Sequence, residues 1–540
     1  MNTTGFSARS ALVSALTAAS LFVVQLLPLG ALPVSTVDVE ASALHVRHEG
    51  SSGYQPSSAL RDATGPNTYL TSAALAPWDT RRIVVSTTFN GLYESTDGGE
   101  SWSRINSTSL APIYMGNGFF DDIALAAYDG SDRNILWVQR AQSEEVLAID
   151  RTAGRVANLS DSRGETALQA ATPAPDHPVA EIDQERLLRM EKAADHVSFF
   201  LAPWHASEEA LPAHMEFARE HGFTAVVIDF KDDAGRIAYN TSLEEPHQVG
   251  AVRRFFDARR LIDSVHDNDL YLIARIVVFK DEQLYRFQDN RFALWDSRLN
   301  APWGIFRDEQ VDGNVRSRQV EFWVDPFSEF VWDYNIAIAR ELQDLGVDEI
   351  QFDYIRTPAE GRREDILYRY QEDSPAFDAG NPRFEDPRVQ ALTAFARRAR
   401  QEIDIPISID VFGFNGWYRM SYLGQDIAAL ARYVDVISPM LYPSHFPRSF
   451  RGDLPYLEWA EYLYYEGTAR GRRITGDSVV IRPYIQSFLI GGELQFEEPM
   501  YTEYLKRQIR GSLDAGAGGF TLWNFSGRYY MVSRGLWFAD

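Results

Sequence analysis

From residue 197 to residue 523 the chain repeats one pattern eight times, a short apolar run of strand character followed by an amphipathic run of helical period. The strand-like runs cover residues 197–201, 225–230, 271–277, 349–352, 407–411, 434–439, 479–486 and 519–523. Before the fourth of them, residues 331–345 are amphipathic and end at Gly346, a helix stop. After it, Leu392, Phe395, Ala396, Ala399 and Ile403 recur at helical spacing and form one apolar stripe that a sheet can cover. Eight strand and helix units in about 330 residues predict an α/β chain that closes into a (β/α)8 barrel, the TIM barrel. A doubly wound open sheet is the competing arrangement, and the lack of a Gly-rich phosphate loop after the first strand counts against it. Residues 284–320 are too long for a simple crossover and are expected to form a lid or rim.

With 540 residues the chain exceeds what one barrel needs, so a second folded part is expected ahead of it. Residues 44–165 carry short strand-like runs between Gly, Asp and Asn turns and read as a small all-β module. Within it, Ser95 to Trp102 (S-T-D-G-G-E-S-W) resembles the Asp-box hairpin of sialidase-like propeller repeats. One such copy in roughly 100 residues cannot supply the four blades of a closed propeller. Residues 166–190 hold Pro173, Pro175 and Pro178 among Ala, Asp and Glu and read as a linker, which leaves residues 191–540 for the barrel. Residues 1–43 contain Arg9 and an apolar run from Ala11 to Leu29, the pattern of a signal peptide or uncleaved membrane anchor. Ala41, Ser42 and Ala43 offer a cleavage site, with another near Ala31. Export to the periplasm, cell surface or surroundings is therefore expected. No cysteine is present, which excludes disulfides, a thiolate nucleophile and thiolate-bound metal.

A formal net charge of −24 argues against nucleic acid as the main partner and favours a neutral or cationic substrate. The barrel prediction makes the strand ends the place to look for chemistry, because side chains there converge on one pocket. Those ends are polar: Asp229 and Lys231 on the second strand, Arg275 on the third, Asp353 and Arg356 on the fourth, Asp410 on the fifth. Tyr442 and His445 follow the sixth, Gln486 closes the seventh, and Trp523 and Asn524 close the eighth. Cleaving a glycosidic bond needs two carboxyl groups across the anomeric carbon. Asp353 and Asp410, on adjacent strands, are the candidate pair, with Asp229 in reserve. Lys231, Arg275, Arg356, Tyr442, His445, Gln486 and Asn524 are candidate substrate contacts, and Trp204, Trp417 and Trp523 are candidate sugar platforms. The plainer alternative makes the acids salt-bridge partners of Arg356, Lys231 and Arg275, and the tryptophans packed rim residues. Isolated histidines give no metal-ligand spacing, so neither metal nor cofactor is expected.

Read in order, these segments resemble the family described as a putative glycosyl hydrolase domain, within the barrel glycosidase superfamily. The matching stretches are V-I-D-F-K-D-D from Val227, I-A-R-I-V-V-F-K-D from Ile273, W-V-D-P from Trp323 and W-D-Y-N-I-A-I-A from Trp332. They continue with V-D-E-I-Q-F-D-Y-I-R from Val347, D-V-F-G from Asp410 and V-D-V-I-S-P-M-L-Y-P-S-H from Val434. The resemblance covers nearly the whole second domain and implies a retaining glycosidase with its Asp nucleophile on the fourth strand, a role that falls to Asp353. Asp410 as acid/base follows from strand adjacency alone. The expected activity is hydrolysis of a polysaccharide. A non-catalytic carbohydrate-binding or envelope-scaffold protein on the same barrel is the alternative, and a metal-dependent deacetylase is disfavoured because no His-rich cluster is visible.

Overall fold

The computed structural model describes residues 33–533 apart from 41–42, 66–67, 117–118, 121–122, 142–144, 174–181, 312–313, 375–385, 449 and 451–453. The apolar leader, the Ala41 and Ser42 cleavage residues and the middle of the proline-bearing linker lie outside the described residues.

Eight parallel strands close a barrel: β1 (His196–Leu201), β2 (Ala225–Lys231), β3 (Tyr271–Val277), β4 (Glu349–Asp353), β5 (Ile407–Phe412), β6 (Val436–Met440), β7 (Tyr484–Gln486) and β8 (Gly519–Trp523). Pairing of β8 with β1, and of β5 with both β4 and β6, leaves no open edge in this ring. The expected seventh run is interrupted. Val480–Ile481 and Tyr484–Gln486 pair separately with β6, and Pro483 between them has no N–H to give to a ladder. The helix Glu329–Leu345 ends at Gly346, whose φ of +107° lets its N–H reach the carbonyls of Leu342 and Gln343.

Period-two alternation sorts the strand residues between two surroundings. Ile350 and Phe352 join Phe199, Val226, Ile228, Ile409 and Leu522 in the apolar layer beneath the helices. Their neighbours on the opposite face line the barrel interior, which is unusually polar. On its floor Glu349 and Arg482, both fully buried, form an ion pair, and Arg482 also donates to the Ala193 carbonyl at 3.1 Å. One layer up, the Tyr484 hydroxyl donates to Gln351 Oε1 at 2.5 Å. The next layer holds the strand-end charges.

Two further elements frame the barrel. The helix Gln184–Ala193 places Arg186 against the strand-entry end, where its guanidinium donates to the carbonyls of Val434 and Ser478 at 2.8 and 2.9 Å. The expected rim is an antiparallel hairpin, Gly304–Val311 with Asn314–Phe322.

The β region ahead of the barrel begins at Val34. Val34–Glu40 pairs with Ala43–His48, and this small sheet lies on a five-stranded sheet centred on Asp79–Thr87. A four-stranded sheet from Ile123 to Val156 covers the opposite face. Ile83 and Val85 therefore face one core and Val84 the other, so the strand is apolar on both sides. In the Ser95 to Trp102 turn, Asp97 accepts from the Ser101 N–H at 2.9 Å, and the Trp102 indole donates to Ser57 and to the Gly99 carbonyl. Phe89 leaves this module and packs on Phe450 of the barrel, 5.7 Å between ring centres, with the Arg470 guanidinium over its face.

Candidate active site

The centre of the site is Arg275 on β3. Parallel register sets Asp229 opposite it and places Asp353 opposite Val277 one strand further round. Arg275 donates through Nη1 to Asp229 and through Nε and Nη2 to Asp353, the Nε contact being 3.1 Å. Asp410 lies 3.7 Å from Nε. One guanidinium thus faces three carboxyl groups, more negative charge than it can neutralise.

The imbalance is resolved by protons. Burial pushes Asp229 up to about 7, against the lowering effect of Arg275. Burial, followed by the negative charge of Asp353, holds Asp410 well above the usual carboxylate range, again against Arg275. Among the described residues neither Asp410 oxygen meets an N–H or O–H donor. Burial and the neighbouring carboxylate thus both favour the neutral form of Asp410. The Tyr354 backbone N–H also donates to Asp353, from a residue held at φ +54°. That conformation is costly for a non-glycine residue and fixes the donor beneath the carboxylate.

Above this layer lies a cavity of about 460 Å³. Its walls come from Arg275, Asp353, Tyr354 and Arg356, from Phe412, Gly413, Phe414, Met440, Tyr442, His445 and Phe446, and from Tyr484 and Trp523. The rim hairpin contributes Glu321, and the loop after β4 contributes Ala359 and Glu360. Arg356 is enclosed by three rings, Trp323, Phe412 and Tyr354, at 4.7, 4.8 and 5.0 Å. Burial lowers the pKa of His445 below its ordinary value and leaves its ring neutral at pH 7. Gly413 is required by space, since a Cβ there would lie 2.4 Å from the Met440 carbonyl oxygen.

Of the residues singled out from the sequence, Asp353, Arg275, Arg356, Tyr442, His445 and Trp523 meet in this cavity. The others do not line it. Asp410, with no exposed side-chain surface, lies behind Asp353, so a leaving-group oxygen has no path to it. The residue expected from strand adjacency to be the acid/base thus stands outside the cavity that Asp353 lines. Asp229 sits below the cavity as the second partner of Arg275. Lys231 is fully buried in a 2.7 Å ion pair with Asp281, because a register shift after Asp229 turns it into the barrel wall. Gln486 uses its amide on Ser444, Phe488 and Glu493, and Asn524 holds the turn to Arg528, so both shape loops. Trp204 stands outside, edge-on to Phe525, and Trp417 is fully buried against Phe446 and Phe450. Sequence reasoning missed Glu321, which arrives on the rim hairpin, Glu360, Phe414 and Phe446, which lie beyond the ends of barrel strands, and Tyr484, which opens β7. Among the described residues no group of three His, Asp or Glu is placed to hold a metal ion.

A family model described as "Putative glycosyl hydrolase domain" matches residues 198–529. No curated protein matches the chain. Among solved structures, the chain is similar to a hypothetical protein from Ruminiclostridium thermocellum ATCC 27405, at 26% identity over 39% of this chain and 97% of that one, with a TM-score of 0.31. It is also similar to the PgaB (BpsB) glycoside hydrolase domain from Bordetella bronchiseptica, at 13% identity over 61% and 94% of the two chains, TM-score 0.38. The trehalose-6-phosphate hydrolase TreA of Bacillus licheniformis aligns at 10% identity over 61% and 64%, TM-score 0.35.

Proposed function

Because the chain belongs to the family described as a putative glycosyl hydrolase domain, we propose that it hydrolyses O-glycosidic bonds of a polysaccharide with retention of configuration. The observation that carries this reading is Asp353, a carboxylate at a barrel strand end that opens onto an aromatic-lined cavity while Arg275 and the Tyr354 N–H hold it from behind. In the first step an Asp353 oxygen attacks the anomeric carbon as the glycosidic bond breaks, and a general acid protonates the departing oxygen. In the second, the same group, now a base, takes a proton from water as water displaces Asp353. Asp410, buried and pushed toward its neutral form, backs the site on the far side of Arg275 Nε.

The general acid has to come from the cavity wall. Glu321 on the rim hairpin is assigned this role, with its Oε2 fixed by the Trp323 indole N–H at 2.8 Å. Glu321→Gln is expected to lower kcat about 10²- to 10³-fold on a polysaccharide and far less on an aryl glycoside, whose leaving group needs no proton. Equal losses on both substrates would remove Glu321 from the role. A polysaccharide panel assayed with the native protein, Glu321→Gln and Asp353→Asn tests the enzyme reading itself. Sugar binding unchanged in all three with no turnover by any would leave a binding protein.

Export belongs to the same proposal, resting on the apolar run from Ala11 to Leu29. Val34 and Val39 are buried in the β module, so removal of residues up to Ala43 would take away a core strand. Processing near Ala31 leaves that strand intact, and N-terminal sequencing of the secreted protein should find a start before Val34. A start after Ala43 would contradict this.

A further inference from the structure

The β module contains a second cavity, of about 870 Å³, that shares no lining residue with the barrel pocket. Five arginines line it: Arg81 and Arg82 from the five-stranded sheet, Arg104 from the edge of that sheet, and Arg133 and Arg151 from turns of the four-stranded sheet. Only two carboxylates accompany them. Asp79 pairs with Arg81 at 3.1 Å, and Glu94 is shared by Arg82 at 3.0 Å and Arg151 at 2.6 Å. Arg104 and Arg133 have no carboxylate partner among the described residues. The cleft therefore carries an excess of three positive charges in a chain whose net charge is −24.

We propose that this cleft binds a carbohydrate bearing carboxylate or other anionic groups. Guanidinium edges match planar carboxylates and phosphates with paired N–H donors, and rings hold the two unpaired guanidiniums in place. Arg133 lies over Trp78 at 4.9 Å and Arg104 over Phe120 at 4.5 Å. Asn106, Asn134 and Thr152 add neutral hydrogen-bonding groups suited to hydroxyls. The volume falls within the roughly 300–1,000 Å³ range of ligand sites and fits a few sugar units. Nucleic acid fits less well, because Trp78 has Arg82 and Arg133 over its ring and offers no platform for a base. The carbohydrate class rests on the glycosidase reading of the barrel, whereas the anion preference rests on the cleft alone.

The test is calorimetric titration of the full chain carrying Asp353→Ala, which cannot turn a ligand over, with trigalacturonate and with neutral maltotriose. Arg104→Gln/Arg133→Gln is added in the same background. Both arginines are exposed, so an unchanged thermal midpoint is expected. Trigalacturonate should bind, weaken with added salt and lose at least about tenfold in affinity in the double variant, while maltotriose should not bind this cleft. Trigalacturonate binding that is absent, or equal with and without the two arginines, overturns the proposal. So does displacement by inorganic phosphate at equal concentration, the mark of a single-anion pocket, or tighter binding of an oligonucleotide of equal charge. Loss of polysaccharide turnover in the native protein with cleft binding intact would instead count against the barrel reading.

Discussion

Asp353→Ala is expected to lower turnover by about 10⁴-fold or more while leaving the fold in place. The two halves of this expectation have separate causes. Turnover falls because the nucleophile is gone and the next carboxyl group, Asp410, is fully buried and cannot reach the anomeric carbon. The fold persists because Arg275 keeps Asp229 and Asp410 as partners, so no buried cation is stranded. The substitution relieves an excess of negative charge around one guanidinium. Azide, small enough to enter the space left by the carboxylate, should restore part of the rate on an aryl glycoside and give a glycosyl azide of inverted configuration. That product distinguishes a nucleophile from a residue that merely orients substrate. Turnover within about tenfold of the native rate would sink the assignment, since a covalent step cannot lose its nucleophile so cheaply.

How much of this site was legible follows from where each residue sits on its strand. Asp229, Arg275, Asp353 and Asp410 share strands with apolar residues that must face the helices, so parity alone sends all four inward. The barrel and its central charges could be read for that reason. Parity fixes a direction and says nothing of depth or distance, and so the contact between Asp353 and Asp410 was invisible in the sequence. At the last residue of a strand, or one step beyond it, even the direction is no longer secure. Lys231 follows a register shift, and Gln486 and Asn524 turn with their loops, so their polarity serves backbone and neighbours instead of the cavity. Glu321 could not be found this way at all. Its hairpin is polar and exposed over most of its length, and only the closed ring brings its base over β4. A glutamate there gives no pattern before the fold exists.

Arg275→Met is expected to destabilise the protein by about 5 kcal/mol at pH 7, because it leaves three buried carboxyl groups without the cation they share. The loss should depend on pH, in a direction the site dictates. An acid whose folded pKa lies above its unfolded value binds extra protons in the folded state, so stability falls as pH rises from the unfolded value near about 4. In the native protein Asp229, pushed up to about 7, and Asp410, held well above the usual carboxylate range by burial and by Asp353, already act in this sense. Stability should therefore decline between about pH 4 and pH 7 even with Arg275 present. Without the guanidinium its lowering influence on both acids is lost, so the decline becomes steeper. Near pH 4 the two raised acids, Asp229 and Asp410, carry little charge in the folded chain, so the two proteins should differ less there than at pH 7. Urea unfolding of both proteins from pH 4 to pH 7.5 measures the difference directly. Parallel curves would mean that Arg275 stabilises through packing alone and that the carboxyl cluster is not held by its charge. Converging curves at low pH would show that one guanidinium, by its charge, sets the protonation of the acids packed around it.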